Sequence, residues 1–148
     1  MTWSTLTSSI VIQRPLADVI AFVDDCNNDP LWQSAVWETV KLTDGDPAPG
    51  TIYHVKEKFL GRIIEQQWEV VSRNADGSQW TAKTISGPFP METTMKFESV
   101  DGGTRVTRIL NIDASRFFKL AEPIVLRLAQ RELDADFATL KEILEAES

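Results

Sequence analysis

Between Val36 and Ile112 the chain is cut into short pieces by turn residues, and this cadence constrains the fold more than any other feature. The cuts are Asp44-Gly45 to Gly50, Leu60-Gly61, Asn74 to Gly77, Ser86-Gly87-Pro88 and Asp101-Gly102-Gly103, all residues that accept positive φ or preset a turn. They leave six strands, at about Val36–Leu42, Thr51–Phe59, Arg62–Val71, Gln79–Ile85, Phe89–Ser99 and Thr104–Ile112. A parallel pair needs a crossover of about a dozen residues or more. These connections are too short for that, so the sheet is expected to be an antiparallel meander.

The flanking segments complete the pattern. Leu6, Ser8, Ile10 and Ile12 alternate with Thr7, Ser9 and Val11, which reads as a strand ended by Pro15. Pro15 suits the first turn of a helix carrying Leu16, Val19, Ile20 and Val23 at helical spacing. Asp24 to Pro30 reads as a turn, and Leu31 to Val36 as a short second helix. After Asp113, Phe117, Phe118, Leu120 and Ala121 lead into Pro123 and a long helix ending near Glu145. Pro123 belongs in its first turn or at a kink, because a proline in a helix interior costs about 3 kcal/mol. The helix opens apolar nearly all round at Ile124, Val125, Leu126 and Leu128, which predicts cover on every side. It then narrows to a stripe at Leu133, Phe137, Leu140 and Leu144, with Glu132, Asp134, Asp136, Lys141 and Glu142 expected to face outward.

Strand, two short helices, six strands and a long helix leave one sensible packing. It is an α+β helix-grip domain spanning residues 1–148, in which a curved seven-stranded antiparallel sheet wraps the C-terminal helix. Side chains fill the open end of such a grip poorly, and that space is the candidate binding site.

Charge and composition narrow the function. With 15 Lys and Arg against 22 Asp and Glu, the net charge is −7. A nucleic-acid partner or an anionic membrane surface is therefore not expected. Cys26 and His54 are the single cysteine and the single histidine, which leaves no disulfide within the chain, no His/Cys metal site and no expected cofactor. Cys26 reads as a packed thiol rather than a nucleophile. No nucleophile elbow or phosphate loop is present. No stretch approaches the roughly 20 apolar residues of a membrane span. No long apolar run precedes Arg14, the first basic residue, so no secretory signal is expected and a cytoplasmic location is.

Strand alternation proposes which side chains face the helix. The inward sets are Phe89, Met91, Thr93, Met95 and Phe97; Tyr53, Val55, Glu57 and Phe59; Ile64, Gln66, Trp68 and Val70; and Trp80, Ala82 and Thr84. Methionine and aromatic walls suit a flat or aliphatic ligand. The same phases turn Glu57, Gln66, Arg108 and Glu38 inward. Arg108 is the expected partner of Glu57 or Glu38, since buried charge is costly unless paired. His54 falls on the outward phase with Lys56 and Lys58, and Trp3 and Trp37 lie off the inward phase, on the outer face or at an oligomer contact.

The segments Ile10 to Asp24 (IVIQRPLADVIAFVD) and Asn28 to Ser34 (NDPLWQS) resemble the opening of the polyketide cyclase/dehydrase and lipid-transport family. That family belongs to the superfamily of START domains and birch-pollen-type allergens. Gly102 to Thr107 (GGTRVT) resembles its last strand, and Arg131 to Glu145 (RELDADFATLKEILE) its helix ending. Each motif has a mechanical role: Pro15 starts a helix, Trp32 plugs the junction of the short helices with the sheet, and Gly102-Gly103 makes a hairpin.

The resemblance implies a cavity that binds a small hydrophobic molecule, lipid-like, polyketide-like or aromatic. Expected walls are Trp32, Tyr53, Val55, Phe59, Trp68, Trp80, Phe89, Met91, Met95, Phe97, Ile124 and Leu128, with Gln66 among the orienting groups. The alternative is a cofactor-independent cyclase or dehydratase using Glu57 or Glu38 as acid/base and Arg108 to steady an enolate. A third reading is a regulatory partner of another protein, acting through the acidic surface. A monomer or homodimer fits each of them.

Overall fold

In the computed structural model, which describes residues 3–113 and 121–147, the turn cadence produces the expected strands. They are β1 (Ser4–Ile12), β2 (Val36–Lys41), β3 (Ile52–Phe59), β4 (Arg62–Arg73), β5 (Gln79–Ser86), β6 (Met91–Val100) and β7 (Gly103–Ile112). All pairings are antiparallel, and the order across the sheet is β1-β7-β6-β5-β4-β3-β2. The first strand thus closes against the last, with Ser4 opposite Ile112 and Ile12 opposite Thr104. Gly103 permits that closure, because a Cβ there would stand 2.0 Å from the Ile12 carbonyl oxygen. The β3–β4 hairpin turns on Leu60 (φ 51°) and Gly61 (φ 79°). Positive φ at both central residues matches the twist of a two-residue hairpin.

Helix α1 (Leu16–Asp24) starts directly after Pro15 and buries Val19, Ile20 and Val23. The stretch read as a turn at Asp24–Pro30 is largely helical instead. A 3₁₀ turn covers Cys26–Asn28 and runs into α2 (Asp29–Trp32). The local chemistry accounts for the difference. The Asp25 carboxylate accepts from Asn27 N, and Pro30 occupies the first turn of α2, where no N–H is needed.

Helix α3 (Glu122–Ala146) also carries its proline in the first turn and buries Val125, Ala129, Leu133, Asp136, Phe137, Leu140 and Leu144. Its apolar opening is not covered on every side, since Ile124 remains 45% exposed. Phe117, Phe118 and Leu120 lie outside the described residues.

Helix α3 packs closest against β1 and α2. Its polar face ties down the β1 edge: Gln130 Nε2 donates to Thr7 O at 2.9 Å, Lys141 Nζ to Val11 O at 2.9 Å, and Ser8 Oγ to Asp134 Oδ1 at 2.6 Å. An edge strand's free carbonyls are thereby occupied. One core, around Trp32, Phe97, Val106, Phe137 and Leu140, fills the space between α1, α2, the sheet and the C-terminal half of α3. Trp32 stacks on Phe137 with ring centroids 6.1 Å apart. The second core, around Ile64, Trp68, Met91, Leu110 and Leu133, lies under the N-terminal half of α3. That half leaves a void.

Candidate functional site

The void is a cavity of about 200 Å³ between the sheet and α3, lined also by residues of α1 and α2. Its strand walls follow the period-two alternation of the sequence. Tyr53, Val55, Glu57 and Phe59 of β3, Gln66, Trp68 and Val70 of β4, Trp80 and Ala82 of β5, and Met91, Thr93 and Met95 of β6 all line it, with Phe89 just before β6 and Trp32 from α2. Arg108 enters from β7 beside Leu110 and Ile112.

Four expected residues are elsewhere. Glu38 is exposed on the outer face. A bulge between Val36 and Glu38 inserts one residue, so Trp37 and Glu38 both point outward while Val36 and Thr39 line the cavity. Phe97 is buried, but in the core beneath α1. Ile124 is largely exposed and Leu128 is not on the cavity wall, because α3 meets the cavity through Ala129, Glu132, Leu133 and Asp136. His54 lies off the wall and pairs with Glu65 at 3.2 Å. Trp3 and Trp37 are about half exposed, and Lys56 Nζ lies 5.7 Å from the centre of the Trp37 ring.

The polar groups of the cavity are connected differently from the expected Glu57–Arg108 pair. Gln66 Nε2 donates to Glu57 Oε1 at 2.9 Å. Arg108 donates through Nε to Thr93 Oγ1 at 3.0 Å and through Nη1 to Gln33 Oε1 at 3.3 Å. Also on the wall, Arg73 forks onto both oxygens of Asp24 at 3.0 and 2.7 Å, the bidentate geometry in which such pairs are strongest.

Besides Asp24, which Arg73 neutralises, three acids enter the wall that sequence reasoning missed or turned outward: Asp29, Glu132 and Asp136. The α3 spacing carried a signal for two of them. Glu132 and Asp136 stand four residues apart and flank Leu133 and Phe137, which puts them on the border of the apolar stripe rather than behind it. Asp136 is only 5% exposed and accepts from Ser34 N at 3.1 Å and Ser34 Oγ at 3.2 Å. Asp29 has no such periodic signal, because its position depends on the 3₁₀ turn before it.

Burial dominates the titration of these groups, since a charge loses hydration there. It pushes Asp29 up to about 7, opposed by the Thr39 hydroxyl and the Arg108 charge. Glu132 also rises to about 7, through burial and then the negative charges of Asp136 and Glu57. Glu57 and Asp136 are raised by burial as well. Burial lowers Arg108, against the pull of Asp136, Glu57, Asp29 and Glu132. Burial raises the Cys26 thiol, away from the reactive thiolate.

Four polar side-chain atoms of wall residues are buried without a hydrogen-bond partner of good geometry: Trp32 Nε1, Thr39 Oγ1, Trp80 Nε1 and Gln66 Oε1. Buried polar groups are normally paired, so the wall is unusually short of partners here. Among the described residues, no three His, Cys, Asp or Glu side chains converge as a metal site would require.

Comparison with known proteins agrees with the fold. A START superfamily protein from Mycobacterium smegmatis superposes with a TM-score of 0.82 at 15% identity, covering 97% of this chain and 99% of that one. A protein from Thermus thermophilus gives 0.82 at 19% identity, covering 98% and 100%. The ginseng major latex-like protein 151 from Panax ginseng gives 0.71 at 10% identity, covering 98% and 97%. At such identities the likeness shows a shared helix-grip architecture. No curated protein matches the sequence. Residues 4–145, however, match the family described as polyketide cyclase/dehydrase and lipid transport, and the chain belongs to that family.

Proposed function

We propose that the protein binds a small, mainly apolar molecule in the cavity between its sheet and α3. The observation that carries this reading is an aromatic and methionine-lined space of about 200 Å³ whose wall holds Trp32 Nε1, Thr39 Oγ1, Trp80 Nε1 and Gln66 Oε1. A void that merely reflected loose packing would be expected to be apolar throughout. This one is bordered by these four polar atoms without a partner of good geometry in the protein. Its size exceeds the ~150 Å³ apolar cavity that takes up benzene and falls below the roughly 300–1,000 Å³ of drug-sized sites. A guest of one or two rings, or a short chain, fits.

Native mass spectrometry of protein purified from its own host, before and after denaturation and organic extraction, tests this reading. A released molecule is expected. The variant Ala129→Phe, which fills the cavity from α3, is expected to fold and to lose it. An empty protein that also fails to bind a hydrophobic fluorescent probe would overturn the proposal.

One observation favours catalysis as a second reading. Glu57 is a carboxylate raised by burial, oriented by Gln66 and inside the field of Arg108. Such a group can move a proton in an aldol-type cyclisation or dehydration. Glu38, on the outer face, has no part in it. Glu57→Gln separates the readings: turnover collapses in a cyclase, whereas a binder keeps most of its affinity for a neutral guest.

A further inference from the structure

The cavity wall carries more acid than its arginines can match. Its charged residues are Asp24 of α1, Asp29 of α2, Glu57 of β3, Arg73 of β4, Arg108 of β7, and Glu132 and Asp136 of α3. Cys26 and Tyr53 are the other titratable groups there, and burial holds both in their neutral forms, Tyr53 pushed up to about 12. Arg73 and Asp24 neutralise each other in their forked pair. Four carboxylates therefore surround one guanidinium. Arg108 is in none of the ion pairs among the described residues, because its nitrogens are directed to Thr93 and Gln33.

A second observation points the same way. Gln66 is 3% exposed and sits on the inward side of β4. Its Nε2 is committed to Glu57, which leaves Oε1 a buried acceptor with nothing to accept. An acceptor in that position calls for a donor on the guest. Trp68, Trp80 and Tyr53 complete the wall, and aromatic rings attract cations.

We propose that the guest of this cavity is a cationic amine, whose ammonium sits in the field of the Glu57, Glu132 and Asp136 carboxylates beside Gln66, and whose apolar body lies against the aromatic wall. This rests on the hydrophobic-ligand reading above and narrows its chemical class. An anionic guest would meet Arg108 but also four carboxylates, and a neutral hydrocarbon would leave Gln66 Oε1 unpartnered. In the empty protein, Asp29 and Glu132, both near 7, hold protons over much of the neutral range. An arriving ammonium releases protons from these carboxylates to solvent, so its affinity rises with pH.

The test compares three ligands of one shape, 2-phenylethylamine, propylbenzene and 3-phenylpropionate. Their binding to the full chain is followed by calorimetry and tryptophan fluorescence at pH 6 and pH 8. The amine is expected to bind at least tenfold more tightly than the hydrocarbon at pH 8, with that advantage reduced at least threefold at pH 6. Glu132→Gln is expected to shrink the amine's advantage over propylbenzene at pH 8. Equal binding of amine and hydrocarbon at both pH values, or tightest binding of the acid, overturns the amine assignment and leaves the hydrophobic-ligand reading standing. If none of the three binds, the amine assignment falls, and the hydrophobic-ligand reading is decided by the extraction and fluorescent-probe test above. The wild-type comparison decides the matter even if the variant does not fold.

Discussion

Glu57 accepts from Gln66 Nε2 at 2.9 Å, although the residue directly across the ladder from Glu57 is Ile64 and the one across from Gln66 is Val55. The bond is diagonal, made possible because residues offset by two positions on the same sheet face come within reach of long side chains. It fixes the Glu57 carboxylate inside the cavity without an ion pair. Glu57→Gln keeps the acceptor at position 57 and removes a buried charge. Thermal unfolding at pH 8 is therefore expected to shift to higher temperature. A fall in Tm would mean that Glu57 depends on its charge for more than the Gln66 bond.

Asp29 and Glu132 make stability pH-dependent. Both titrate near 7 in the folded protein, whereas ordinary Asp and Glu in an unfolded chain titrate at about 4. Between these values the folded state binds more protons, so stability is greatest at the acid end of the window and falls as pH rises from about 4 through 7. Tm measured from pH 4.5 to 8 is expected to decline. Asp29→Asn should flatten that slope and raise Tm at pH 8. A Tm that climbs with pH across this range would refute the buried-carboxylate account.

Removing Arg108 is expected to have the opposite pH signature to removing an acid. Arg108→Leu strips the one guanidinium from among four carboxylates and leaves Thr93 and Gln33 without their donor. Breaking a buried charge arrangement from one side costs about 3–5 kcal/mol. The loss should be largest at pH 8 and smaller at pH 5, where the carboxylates are protonated. Urea denaturation at the two pH values measures the difference, and an equal loss at both would show that Arg108 serves packing rather than charge.

Phe137→Ala tests the other core. Phe137 is 1% exposed and stacked on Trp32, so its truncation should cost about 3–5 kcal/mol. Because Trp32 also lines the cavity, ligand binding should weaken along with stability. A variant that loses stability but binds normally would uncouple the stack from the cavity.

What the sequence determined by itself is the fold. Turn residues at short spacing forced an antiparallel meander, Pro15 and Pro123 marked helix starts, and period-two alternation assigned the inward faces of β3 to β6. These are local properties, read from neighbours along the chain. Tertiary structure decided the site's charge. Glu38 left the wall because a bulge in β2 shifted the phase by one residue, which alternation cannot foresee. Asp29 entered it through a 3₁₀ turn in a segment whose Asp, Asn and Pro content reads as loop. Glu132 and Asp136 stand where polar residues usually meet solvent, but α3 lies close to β1 and α2 and stands away from the middle strands, so the border of its apolar stripe faces a cavity instead. Whether a carboxylate is solvated or buried depends on where a distant element packs, and that distance is set in three dimensions.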